Sequence, residues 1–283
     1  MIRKLAIALL LLAGCGGEDE KTFADVPRPD PGPVHVHGLG INPADGALFI
    51  ATHTGLYRVG ADVQKAQRVG ESFQDTMGFT ILGPDRFLGS GHPDVNEAIE
   101  RNLPPHLGLI ESSDAGESWR NVSLLGEADC HVLRFAGERV YCYDASNDRL
   151  LASGDRGRSW QELAKPGPLI DLVVAPSRPG RLIVTTPGGL FESVDSGASW
   201  RQVSDAAALL AWPELDRLYL VAGGGQVFAS PDGGRTLQHR GEVGGEPAAF
   251  LAVDAGDLYV ALHDGTIKRS ADGAATWTVR SRP

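Results

Sequence analysis

The sequence predicts an all-β chain: a six-bladed β-propeller of four-stranded antiparallel blades over residues 34–283. Three observations predict it. An eight-residue pattern, Ser-x-Asp-x-Gly-x-Ser/Thr-Trp, occurs at Ser112–Trp119, Ser153–Trp160 and Ser193–Trp200. Two degenerate copies follow, Ser230–Leu237 with Leu in place of Trp and Ser270–Trp277 with the Gly one place early. The copies start 37 to 41 residues apart, a spacing that matches one propeller blade. Four of the five Trp residues lie inside them, so the repeat is a packing unit.

Each copy sits between two short apolar runs, as with Leu107–Glu111 and Trp119–Ser123. That places it at a hairpin turn, the third-to-fourth strand turn of a blade. Asp114, Asp155, Asp195, Asp232 and Asp272 are expected to accept backbone N–H bonds inside these turns. The Gly supplies positive φ, the hydroxyls tie the turn ends, and the Trp packs between sheets. These are structural roles that need no substrate.

The elements follow in chain order. Arg3 and Lys4 precede an apolar run, Leu5–Leu12, that is too short to span a bilayer. Leu12-Ala13-Gly14-Cys15 matches the lipobox of a bacterial lipoprotein signal. Residues 1–15 are therefore expected to be a signal peptide with lipidation at Cys15, giving a lipid-anchored extracytoplasmic protein of the bacterial cell envelope. Residues 16–33 form a Pro-rich acidic tether that cannot bury a core.

Counting back from the turns gives blades near 73–124, 127–165, 168–204, 206–243 and 246–281. Residues 34–70 repeat the opening rhythm without the eight-residue pattern and make one more blade, the first of six in chain order. Gly188-Gly189 and Gly223-Gly224-Gly225 fall at strand two–three turns, with no helix following to make a nucleotide loop.

The chain carries a net charge of −10. Without Arg3 and Lys4 the 26 basic residues become 24 against 36 acidic ones, a net charge of −12. This argues against nucleic acid as a partner. Cys130 and Cys142 lie on consecutive strands around a turn at Ala136–Arg139. An oxidising envelope leaves a disulfide open, but that turn sets position 142 opposite 133 rather than 130, which argues against the pairing and keeps Cys130 as a candidate soft donor.

Aligning the blades gathers unusual residues onto the face opposite the repeated turns. His37, Met77 and His131 fall at one equivalent position near the start of strand one in blades one to three. His35, Asp75 and Asp129 fall two residues earlier, and blade four offers only Asp171 there. His53, His92 and His263 end strand two in blades one, two and six. Alternation along a strand lets His35 and His37 share one target. A candidate metal site follows: His35, His37, Met77, His92 and His131, with His53, Cys130 and His263 within reach. Imidazoles with a thioether and a thiol suit copper, with zinc next. A hydrogen-bonded histidine network lining a polar channel uses the same residues for stability. A long strand two–three excursion, His92 to His106, lies on the same face, as binding loops and lids do.

The repeated turns resemble the Asp-box (BNR) repeats of sialidase-like propellers, also found in sortilin-type receptors and in the photosystem II assembly factor propeller. His35-Val36-His37-Gly38-Leu39, Met77-Gly78-Phe79 and Ser90-Gly91-His92-Pro93 are similar to bacterial secreted Asp-box proteins labelled glycosyl hydrolases. The resemblance covers residues 34–281 and implies the propeller fold. Sialidases carry an Arg-Ile-Pro-like motif where this chain has His-Val-His-Gly. The arginines here (Arg120, Arg156, Arg158, Arg201, Arg235) lie in or beside the turns on the other face, so no sialidase activity is expected.

Three readings stand. The first is a non-catalytic propeller binding copper, zinc or a small ligand at its histidine face. The second is a glycoside hydrolase, with Asp75 and Asp129 as the carboxylates. The third is a scaffold that binds a protein partner.

Overall fold

The computed structural model describes residues 29–283. The lipobox at Cys15 and most of the tether lie outside the described residues. Six four-stranded antiparallel sheets span Val36–Arg68, Asp75–Ser123, Cys130–Leu163, Asp171–Ser204, Ala208–Glu242 and Pro247–Ser281. Among the described residues, helix is confined to Val95–Arg101 and a turn at Gly223–Gly225. Strand one of each blade packs beside strand one of the next, and that of blade six beside that of blade one. The architecture is the six-bladed propeller that the sequence predicts.

Central strands such as Leu48–Thr52 and Leu258–Leu262 are buried on both faces, and alternate side chains meet one neighbouring sheet or the other, Leu48 and Ile50 on one side and Phe49 and Ala51 on the other. Six buried clusters result, one at each seam between blades, including the seam of blades six and one. Tyr57, Tyr141 and Tyr219 are among the largest fully buried side chains. Burying one such side chain contributes about 1.5–3 kcal/mol, so the seams, and not a single central core, hold the ring together.

The five repeated turns share one hydrogen-bond pattern. In blade two, Ser112 Oγ donates to Asp114 Oδ1 (2.8 Å) and accepts from Gly116 N (2.8 Å). Asp114 then accepts from Ser118 N (3.0 Å) and Ser118 Oγ (2.6 Å). Asp155, Asp195, Asp232 and Asp272 accept the same pair of bonds. The glycine is demanded twice. Gly116 has φ +90°, and a Cβ there would lie 2.3 Å from Leu56 of the preceding blade. Blade six places Ala274 in that slot at φ +76°, with its N–H still bonded to Ser270 Oγ (2.9 Å). The tryptophans reach back across the seams: Trp160 Nε1 donates to Ser123 Oγ (2.9 Å) and Trp200 Nε1 to the Ala164 carbonyl (2.8 Å).

Cys130 and Cys142 form a disulfide, with Cα atoms 5.3 Å apart. This corrects the expectation of a free thiol at Cys130. The expected register is present, with Cys142 opposite Leu133. A β-bulge at His131 changes the outcome: Tyr143 faces Val132, but Asp144 faces Cys130. One extra residue turns position 130 to the sheet face that carries 142, diagonally across the pair. The separation then suits a disulfide.

Candidate metal centre on the strand-one face

The bulge at His131 has counterparts. Register shifts fall at His37 in blade one, Met77 in blade two and Ala248 in blade six. The blade-equivalent residues are therefore bulge residues, lifted out of the ladder, and bulges re-aim side chains. His37, Met77 and His131 line one small polar chamber of about 240 Å³ at the head of the channel. The repeated turns bond the strand one–two turns of their own blades, as in Ala115 N to the Asp85 carbonyl (3.0 Å), and so mark the opposite end.

Two groups of potential ligands stand at adjacent seams. In the first, His53 at the end of strand two in blade one reaches Asp75 at the start of strand one in blade two, Nδ1 to Oδ2 at 2.8 Å. His37 Nε2 lies 3.6 Å from Asp75 Oδ1. In the second, His92 reaches Asp129 one blade further on, Nε2 to Oδ2 at 3.3 Å. His131 Nε2 shares that oxygen at 2.9 Å, and His106 packs against His92 with ring centroids 5.4 Å apart. Within His37/His53/Asp75, and within His92/His106/Asp129, the donor atoms all lie within 4.8 Å of one another. Four of them are buried with no hydrogen-bond partner among the described residues: His37 Nε2, Asp75 Oδ1, His106 Nδ1 and Asp129 Oδ1.

Electrostatics separate the groups. Burial, then the neighbouring imidazoles, push His37 down to about 4, so its ring is neutral and its lone pair available. Burial raises Asp75 above the ordinary carboxylate range, against the pull of His53 and His92. Burial also penalises the Asp129 anion, but the His131 hydrogen bond and the nearby imidazoles outweigh it and hold Asp129 low. His131 is raised, first by that same hydrogen bond.

Tautomer logic sharpens the second group. His92 Nδ1 lies 2.9 Å from the Pro105 carbonyl oxygen, which can only accept. The ring proton therefore sits on Nδ1, and a neutral His92 turns a bare Nε2 toward a carboxylate. Such a pair needs a proton or a cation between its members. Ligating histidines commonly donate their other ring N–H to a backbone carbonyl in this way.

The residues singled out in the sequence are thus sorted. His37, His53, His92 and His131 stand at the two groups. Met77 lines the chamber between His37 and His131. His35 takes φ +51° and lies outside both groups, its ring 6.1 Å from that of His53. The bulge at His37 breaks the alternation that would have paired these two neighbours. His263 is exposed and belongs to neither group. Cys130 is withdrawn by its disulfide. Asp75 and Asp129, read as catalytic carboxylates, stand at the centre of the groups, and His106 joins from the excursion that holds helix Val95–Arg101.

No protein-family model matches the chain, and no curated protein matches it either. Solved structures do, at the level of fold. The GH74 enzyme of Niastella koreensis superposes with a TM-score of 0.60 at 14% identity, over 88% of this chain and 45% of that one. A nidogen/laminin complex gives 0.66 at 15%, over 84% and 93%. YCF48 from Cyanidioschyzon merolae gives 0.53 at 12%, over 89% and 86%. The chain spans less than half the length of the GH74 enzymes it resembles. At these identities the likeness establishes a β-propeller and no more.

Proposed function

We propose that this chain is a lipid-anchored, extracytoplasmic propeller of the Asp-box type that binds a divalent transition metal at the two histidine–aspartate groups, without catalysis. The observation that carries the reading is His92, whose Nδ1 proton is committed to Pro105 while its Nε2 faces Asp129. The partnerless buried donors of both groups support it. Each group offers two imidazoles and one carboxylate, which leaves a coordination position open and suits zinc. With Cys130 lost to a disulfide, the soft character that favoured copper shrinks to Met77. Metal content of the purified protein, followed by titration with zinc and with copper(II), tests the reading. Two equivalents bound, reduced to one by His37→Ala or by His106→Ala, is the expected result. A metal-free protein that binds neither ion would refute it.

A second reading rests on the opposed titration of the two carboxylates. Asp75 is held high and Asp129 low, the division of a general acid and its anionic partner in glycoside hydrolysis. It requires turnover of an aryl glycoside that is lost on Asp75→Asn, with metal removed by chelation.

A further inference from the structure

The channel does not continue as a polar shaft. Leu39, Phe79, Arg134 and Phe250 line both the histidine chamber and a second chamber below it, forming a waist. The lower chamber has a volume of about 790 Å³ and receives the far half of strand one from all six blades. Its walls are largely apolar. Ile81, Phe135, Val174 and Leu251 each touch a seam cluster with one edge and remain only half-buried, with the rest of the side chain on the chamber. Trp212 closes one side. Arg134 is the only charged residue of the lining.

Arg134 is also fixed in place. It donates to Asp171 Oδ1 (2.6 Å) and to the Leu133 carbonyl (3.0 Å). Asp171 is buried and does not depend on Arg134 alone, because the Leu172 and Leu210 amides donate to its two oxygens at 2.7 and 2.8 Å. A guanidinium carries five N–H donors, so donors remain for a further acceptor. Volumes of this order, apolar walls and one fixed polar group are what small-molecule sites present. A channel needed only for folding gains nothing from apolar side chains left half-covered in four of its blades.

We propose that the lower chamber binds a single-chain amphiphile, its hydrocarbon tail against the six strand-one segments and its anionic head at Arg134. The occupant follows from the lining: an apolar volume with one cation at its inner end. The site is independent of the metal centre, and neither proposal depends on the other.

The test uses the whole chain and sodium dodecanoate below its micelle concentration, with dodecanol as the uncharged control. Calorimetry should give one saturable site, with dodecanol weaker by at least about tenfold. Ala252→Trp, which narrows the chamber from blade six, should weaken binding by at least about tenfold. A dodecanoate brominated on its tail should quench part of the tryptophan emission of the unmodified protein, and Trp212→Phe should remove that quenching, because the other four tryptophans lie in the repeated turns. Non-saturable uptake, equal affinity for dodecanol, undiminished affinity in folded Ala252→Trp, or quenching that persists without Trp212 would each overturn the proposal. Should Ala252→Trp fail to fold, the quenching experiment decides alone.

Discussion

His92 and Asp129 face each other across the seam of blades two and three, Nε2 to Oδ2 at 3.3 Å. The relationship repeats one seam earlier, where His53 meets Asp75 at 2.8 Å. In both, the end of strand two in one blade addresses the start of strand one in the next. The third member of each group differs in origin: a bulge residue, His37, completes the first group, and His106 from the inserted excursion completes the second.

The difference makes the two sites separable by mutation. His37→Ala should weaken metal binding at the first seam by at least about tenfold and leave the second intact, and His106→Ala should do the reverse. Isothermal titration with zinc checks this. One variant abolishing both sites in a folded protein would show that a single centre spans the seams.

The disulfide should be structural and silent in binding. Cys130→Ser and Cys142→Ser should each cost about 2–3 kcal/mol of stability, the expectation for a short closed loop, and the double variant should cost little more than either. Denaturant titration measures the loss. If Cys130→Ser changed metal affinity as well, the sulfur would have to be counted among the ligands.

The repeated turns predict an acid limit. Asp195 and Asp272 are lowered to about 2, first by the side-chain hydrogen bonds from Ser199 and Thr276. A group whose folded pKa is depressed contributes stability above its unfolded value and loses it as pH falls through the folded value. Stability from these turns should therefore be present above pH 4 and disappear between about 4 and 2. Melting temperatures across that window should show a shallower acid slope for Asp195→Asn than for the unmodified protein. Parallel slopes would mean that other carboxylates set the limit.

Glycine in the repeated turn should be replaceable in one blade and not in others. Gly116→Ala combines positive φ with a contact 2.3 Å from Leu56, at a cost of about 2–4 kcal/mol. Ala274→Gly in blade six exchanges strain relief for a lost buried methyl and should change stability by less than about 1 kcal/mol. Equal effects at the two positions would contradict the role given to Leu56.

Much of the fold was legible in the sequence because it rests on local chemistry repeated at fixed spacing. A turn with Asp at its third position and Gly at its fifth closes the same way wherever it recurs, and the period sets the blade count. The histidine face was legible for a related reason: blade equivalence put His37, Met77 and His131 at one position. What alignment could not convey was the bulge at that position. A bulge leaves no residue signature in these strands, yet it removed His35 from the partnership with His37 and turned Cys130 toward Cys142. His106 was missed because it belongs to an insertion without counterpart in other blades. The presence of a second histidine where that excursion rejoins the blade was the available signal. Asp75 and Asp129 were legible as acids rather than as candidate donors, since only proximity to two or more imidazoles distinguishes the two.

Each sheet is built wholly from consecutive strands, including the first and the last. The ring is therefore closed without exchange of a strand between the two ends of the chain. Its final seam relies on packing of Val36, Ile50 and Tyr57 against Tyr259 and Ile267, on Arg280 donating to the Gly60 and Val63 carbonyls at 2.5 Å, and on an isolated parallel β-bridge between the backbones at Lys65 and Arg282. That seam is equivalent to the other five except that no peptide bond crosses it. Every inter-blade link is then a candidate chain terminus. A circular permutant opened between Ser204 and Ala208, with residues 283 and 34 joined by a short flexible linker, should assemble the same ring.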